Sequence, residues 1–180
     1  MVPRGRTRMV SGRLAARRGA RRDAGGGYVP LTRQDVPLWS RSMIEEAEQV
    51  LATASRAKKP GRFQLEAAIR SVHAQRAVTG RTDWGAIALL YEGLLPLAPT
   101  IGAQVAHAAA LAEARGVEAG LEALETIPSE AVRSYQPYWA LSGHLLKRLG
   151  RASQSAEAYA RAVGLSEDSA VREFLDRERK

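Results

Sequence analysis

The sequence predicts an all-α protein built of antiparallel helical hairpins, and three observations predict it. Apolar residues recur at steps of three and four from Trp39 to Leu175, the period of helices that bury one face. Thirty-two of the 180 residues are alanine and only 6% are aromatic, a mix that favours helices packed closely over sheets. No stretch alternates apolar and polar residues, and no tight turn joins β-branched runs, so no strand is expected.

The elements follow in order. Trp39, Met43, Ile44, Ala47, Val50, Leu51 and Ala54 form one stripe, predicting a helix over about 36–57 that Lys58-Lys59-Pro60-Gly61 breaks. Leu65, Ala68, Ile69 and Val72 mark a second over 62–78. Gly80 and a Thr82 N-cap separate it from a third over 83–96, with Trp84, Ile87, Ala88, Tyr91 and Leu94 in phase. Ile101, Val105, Ala108, Ala109 and Ala112 define a fourth, ending before Gly116. Val117, Leu121 and Leu124 give a short fifth, stopped by Pro128. Ser129 is placed to cap a sixth over 130–149, ended by Gly150. Ala152, Ala156, Tyr159 and Val163 carry a seventh. Ser166 is placed to cap an eighth through Val171, Phe174 and Leu175, with Glu167 and Asp168 at the positive end of its dipole. Trp39, Trp84 and Trp139 all fall on apolar stripes and are expected to be largely buried.

Charge divides the chain differently. Residues 1–34 hold nine Arg and one acid, Asp23, whereas residues 35–180 hold 18 basic and 18 acidic residues. The sequence therefore predicts a basic, mostly disordered lead-in over 1–34 and a neutral helical domain over 35–180. There is no cysteine, hence no disulfide, thiolate nucleophile or Cys-bound metal. No apolar run reaches 18 residues, and no apolar core follows the Arg-rich start as in a secretory signal. A cytoplasmic location without membrane contact is expected.

Short helices joined by loops of two to six residues must pack antiparallel to their neighbours. Gly116 and Gly150 each close a helix and stand 34 residues apart, the period of the tetratricopeptide repeat. Within about 136–169, Trp139, Gly143, Leu146, Gly150, Tyr159 and Ala162 fall at that repeat's packing positions: inter-helix aromatic, small crossing residue, two further contacts, then second-helix aromatic and alanine. Ser155 stands where the repeat prefers alanine. The preceding unit, 102–135, is degenerate, with Ala109, Ala112 and Gly116 in register but no aromatics. The expected fold is a short tetratricopeptide-like solenoid or bundle.

Reactive constellations are missing from the sequence. His73, His107 and His144 each sit alone on a helix, without a second ligand at metal-binding spacing. Gly25-Gly26-Gly27 is followed by no Lys-Ser/Thr and is no phosphate loop, and no glycine-framed serine or His–Asp pair supports nucleophilic catalysis. The chain is read as non-enzymatic, with no cofactor, metal or small-molecule substrate. Arg4, Arg6, Arg8, Arg13, Arg17, Arg18, Arg21 and Arg22 are the candidate nucleic-acid contacts; such a tail binds phosphate weakly and without sequence preference.

One resemblance carries further. Ala16-Arg17-Arg18-Gly19-Ala20-Arg21-Arg22-Asp23-Ala24, Tyr28-Val29-Pro30-Leu31, Gln34-Asp35 and Trp39 are followed by Phe63-Gln64-Leu65-Glu66-Ala67-Ala68-Ile69 and His73-Ala74-Gln75. Then come Thr82-Asp83-Trp84, Leu90-Tyr91, Leu149-Gly150-Arg151 and Phe174-Leu175. Together these resemble the tetratricopeptide-like C-terminal extension of a group of bacterial extracytoplasmic-function sigma factors, over about residues 15–178. Asp35, Trp39, His73, Thr82, Asp83, Trp84 and Tyr91 are the motif positions. The chain departs from that family at Gln104-Val105-Ala106-His107, where an Asn–Arg pair is expected, and in matching none of the promoter-reading and polymerase-binding regions. The resemblance implies a non-catalytic protein–protein module of transcription initiation, with a sigma factor or RNA polymerase subunit as partner. The alternative is a nucleic-acid-associated protein acting through the Arg-rich tail.

Overall fold

The computed structural model describes residues 18–30, 33–35, 38 and 61–180, in a chain that divides into two compact units, 1–86 and 87–180. Among the described residues all regular structure is helical apart from one isolated bridge between Arg22 and Tyr28. The expected helix over 36–57, Trp39 on it, and Arg4, Arg6, Arg8, Arg13 and Arg17 lie outside the described residues.

In the first unit, Arg18–Arg21 form one 3-10 turn, and the glycines that follow fold back on Asp23. Its Oδ1 accepts hydrogen bonds from the backbone N–H groups of Gly25 (2.9 Å) and Gly27 (2.7 Å). A Cβ at Gly27 would stand 2.6 Å from the same carboxylate, so a larger residue there would push the Asp23 side chain aside. Val29 N donates to Arg21 O at 3.0 Å, and the buried Gln34 donates from Nε2 to Val29 O at 3.1 Å. Residues 18–30 therefore form a hook held by a short-range carboxylate–amide network around Asp23, with Ala20 buried.

Helix α1 (Arg62–Thr79) ends as expected at Gly80, whose φ of 71° is the left-handed value that glycine tolerates best, and whose N–H donates to Arg76 O. Helix α2 (Trp84–Leu94) is capped by Asp83 and not by Thr82: Asp83 Oδ1 accepts from Ala86 N at 2.9 Å, three residues on, while the Thr82 carbonyl accepts from Trp84 N.

The second unit continues with α3 (Ile101–Arg115), capped by Thr100, and α4 (Val117–Glu125). Gly116 alone joins them, at φ 110° and ψ 156°, a conformation essentially restricted to glycine. The sixth predicted helix is split into a single turn, α5 (Ser129–Val132), and α6 (Gln136–Arg148). Pro137 supplies the reason. In a continuous helix its ring would collide with the Arg133 carbonyl, and it has no N–H to donate there. Ser129 is consequently the first residue of α5 and not a cap. Helix α7 (Ala152–Gly164) precedes α8 (Ser169–Arg179), whose cap is Asp168, not Ser166; its Oδ1 accepts from Ala170 N and Val171 N.

Close approach defines the hairpins. A Cβ on Gly120 of α4 would lie 2.4 Å from Ala112 Cβ and 2.8 Å from Ala108 O, both on α3. One on Gly143 of α6 would lie 2.9 Å from the Tyr159 ring on α7. Turns of one residue (Gly116) and three residues (149–151) join these packed helices, so each pair is antiparallel. The hairpins stack with their first helices parallel: Gly102 faces the Tyr135 hydroxyl at the start of α3 and α6, and Glu113 pairs with Arg148 at their ends. These partners are 33 and 35 residues apart, so the 34-residue period of the sequence is a translation in space. The glycines that suggested it differ, however. Gly150 is left-handed, with Gly150 N and Arg151 N donating to Lys147 O and Leu146 O. Gly116 has the positive-φ backbone given above, with ψ 156°.

The main core joins Val105, Ala108 and Ala112 of α3, Leu121 and Leu124 of α4, Ile127, Val132, and Leu145 and Leu146 of α6. Tyr159, Ala162 and Leu175 form a second cluster between α7 and α8, and Trp139 packs against both. The outward residues of α8 are Arg172, Glu173, Arg177 and Arg179, a charged face that closes this side of the stack.

Gly120→Ala should cost about 1–3 kcal/mol, because its Cβ meets backbone that cannot move aside. Gly164→Ala, with no atom within 4 Å of the new Cβ, should be neutral or stabilising by about 0.5 kcal/mol. Urea denaturation of the two variants checks the contrast.

Candidate functional site

The repeat-packing residues converge where α6 crosses α7. Gly143 and Tyr159 meet ring-on-backbone, Ala162 and Tyr159 are buried, and Leu146 is in the main core. Gly150 stays exposed in the turn, where its φ of 72° is its contribution. Ser155, out of place in the repeat, is buried beside them, and its Oγ donates to Gly143 O at 2.8 Å. A buried hydroxyl that keeps its hydrogen bond is tolerated. Trp139 is half-buried where the sequence predicts a largely buried ring, and its polar edge is engaged. Its Nε1 donates at 3.0 Å to Val132 O, a carbonyl made available by the break before α6. One face of the indole carries the Arg161 guanidinium 4.2 Å from its centre, and Tyr138 packs edge-on at 5.1 Å. Burial, aided by the Glu125 carboxylate, pushes the Tyr138 phenol above its ordinary range.

The described motif positions of the first unit gather at the α1–α2 corner. His73 packs edge-on to Trp84 with ring centres 5.5 Å apart, Asp83 caps α2, and Thr82 lines a shallow depression with Gln75, Thr79 and Arg81. Trp84, like Trp139, is half-buried. Thr79 Oγ1 donates at 3.0 Å to Gln75 O and accepts from Arg81 N at 3.3 Å, which fixes the corner. Asp35 is exposed, and its carbonyl accepts from Leu38 N. These positions support the backbone; they do not converge on a reactive centre. Of the candidate nucleic-acid contacts, Arg21 and Arg22 are exposed on the hook, and Arg22 donates to Gly26 O.

One cluster escaped the sequence because Glu92 lies 15 residues from His107 and 23 from Arg115. Glu92 of α2 pairs with Arg115 of α3 at 2.8 Å, and His107 Nε2 lies 3.9 Å from the same carboxylate, too far for a hydrogen bond. The Tyr91 ring is tilted against His107 at 6.4 Å. Burial pushes the His107 imidazole below its ordinary value of 6.5, and Arg115 adds to this against the opposing pull of Glu92. Among the described residues no group of three or more His, Cys, Asp and Glu could hold a metal.

One further surface is the face where α3, α6 and α8 meet. Its exposed charges tie neighbouring helices together: Glu113 with Arg148, and Lys147 with the Glu178 carbonyl. Residues 87–180 hold ten basic and twelve acidic residues, so this face belongs to a slightly acidic unit. No described helix is long and apolar enough to cross a membrane.

A family of unknown function (DUF6596) matches the sequence over residues 13–55. An uncharacterized protein of Rhizobium meliloti (strain 1021) is 38% identical over 156 residues, which are 87% of this chain and 37% of that protein. The chain thus spans little more than a third of the length of this curated relative. No solved structure matches it.

Since the fold favours neutral His107, the unfolded chain takes up the proton first, and the stability this gives is lost as pH falls below about 6.5. Thermal melts from about pH 8 to about pH 5 should show wild type losing its margin over His107→Gln as pH falls; an unchanged margin would exclude the imidazole as the cause.

Proposed function

We propose that this chain is a non-catalytic protein–protein interaction module of the bacterial transcription-initiation apparatus, working in the cytoplasm on a sigma factor or an RNA polymerase subunit. The observation that carries the reading is the parallel stacking of α3 and α6 at a 34-residue step, since stacked helical hairpins present an extended surface whose usual occupant is a peptide or helix. Two further points support it. The slight acidity of residues 87–180 disfavours DNA as the ligand of that unit, because neutralising phosphates needs a net basic face. The identity of the partner comes from the resemblance to sigma-factor extensions, and a chain that matches 37% of a longer relative is in keeping with a module found within a larger protein. When module and partner are separate chains, the roughly millimolar effective concentration of a covalent link is lost, so the contact is weak unless its interface is large.

The test uses the full chain immobilised at moderate salt, with purified polymerase core, sigma-bound holoenzyme and duplex DNA as separate probes. The expected result is saturable binding of core or holoenzyme that survives replacement of Arg4, Arg6, Arg8, Arg13, Arg17, Arg18, Arg21 and Arg22 by Gln. Binding of DNA alone, falling steeply with salt and lost with those replacements, would transfer the function to the nucleic-acid reading.

A further inference from the structure

His107 carries a polar atom left without a partner. Its side chain is only 16% exposed, and among the described residues its buried Nε2 makes no hydrogen bond. Such orphaned nitrogens are rare, because each forfeits the hydrogen bonds that water would give it. A carboxylate stands just out of reach, with Glu92 Oε1 3.9 Å away. The same oxygen is held at 2.8 Å by Arg115 Nη2. All of these residues lie between 91 and 116, inside the second unit.

The charged groups that act on His107 are Glu92, from α2, and Arg115, further along its own helix. The Tyr91 ring of α2 is tilted against it, and α4 and α6 meet α3 through the apolar core. While the imidazole is neutral, Glu92 gains more from the guanidinium. A proton on His107 reverses the preference. The Arg115 side chain is 54% exposed, so water solvates its charge and screens its pair, and exposed pairs of this kind add little. A buried imidazolium has no such substitute and needs a hydrogen-bonded counter-charge. Closing 3.9 Å to hydrogen-bond length takes a movement of about 1 Å by a carboxylate that is itself 40% exposed.

We propose that Glu92 is a two-position carboxylate driven by protonation of His107: it pairs with Arg115 while the imidazole is neutral, and turns to the Nε2–H group when the imidazole is charged, setting Arg115 free. Proton uptake inside the unit is thereby displayed as a free guanidinium at its surface, next to the one-residue turn at Gly116.

Nuclear magnetic resonance of the full chain from about pH 8 to about pH 5 tests this, reading the His107 ring and the Arg115 Nε–H group in one titration. In wild type, Arg115 Nε should lose order, seen as a falling heteronuclear NOE, with the same midpoint as the His107 ring. His107→Gln should leave Arg115 ordered across the whole range. Glu92→Gln should move the His107 midpoint down and leave Arg115 mobile throughout, with circular dichroism showing that both variants keep their helices. An Arg115 group that stays ordered while His107 titrates would overturn the proposal. So would an Arg115 change that persists in His107→Gln, or a His107 midpoint that Glu92→Gln leaves in place. A His107 that takes up no proton while the chain stays folded would overturn it as well.

Discussion

The second unit depends on how closely its helices approach where a side chain is missing. At Gly120 the backbone of α4 lies against Ala112, and at Gly143 the backbone of α6 lies against the Tyr159 ring. Approach at this range gives each flanking atom many contacts at optimal separation, individually about 0.1–0.2 kcal/mol but numerous. It also sets the polar contacts. Ser155 Oγ reaches the Gly143 carbonyl only because α7 lies so near, and Trp139 spans two apolar clusters because the hairpin brings both within one side chain's width. The exposed ion pairs between helices, such as Glu113 with Arg148, follow from this geometry and add little to it.

The extent to which the fold was legible followed the range of the interactions. Gly143, Tyr159 and Ala162 were readable from spacing alone, because helix crossing repeats with the chain. The caps were read one or two residues off at Thr82 and Ser166, where an aspartate nearby offered a stronger acceptor in the right register. The break before α6 was written in Pro137 but masked by the strong stripe around it. The Asp23 hook carries no periodic signal, since it depends on a φ of 81° at Gly26 and on a carboxylate folding back over its own glycines. The candidate site was less legible still. His107, Glu92 and Arg115 share no spacing, and surface charges paired between helices leave no motif.

Charge separates the two units as clearly as contacts do. Residues 1–86 hold 17 basic and seven acidic residues, against ten and twelve in residues 87–180. The basic excess therefore belongs to the unit with the Arg-rich start, while the stacked hairpins offer a mixed surface on which Glu92, Glu113, Glu130 and Asp176 pair with arginines.

A double-mutant cycle at the α6–α7 crossing tests the central claim most directly. Gly143→Ala and Tyr159→Leu are made singly and together, and unfolding free energies are compared. If the close approach of ring to backbone holds the hairpin, the methyl group that clashes with Tyr159 should be accommodated once the ring is gone, with a coupling of about 1 kcal/mol or more. Effects that add to within about 0.5 kcal/mol would mean that the two residues do not press on each other, and that the stack is held by other contacts.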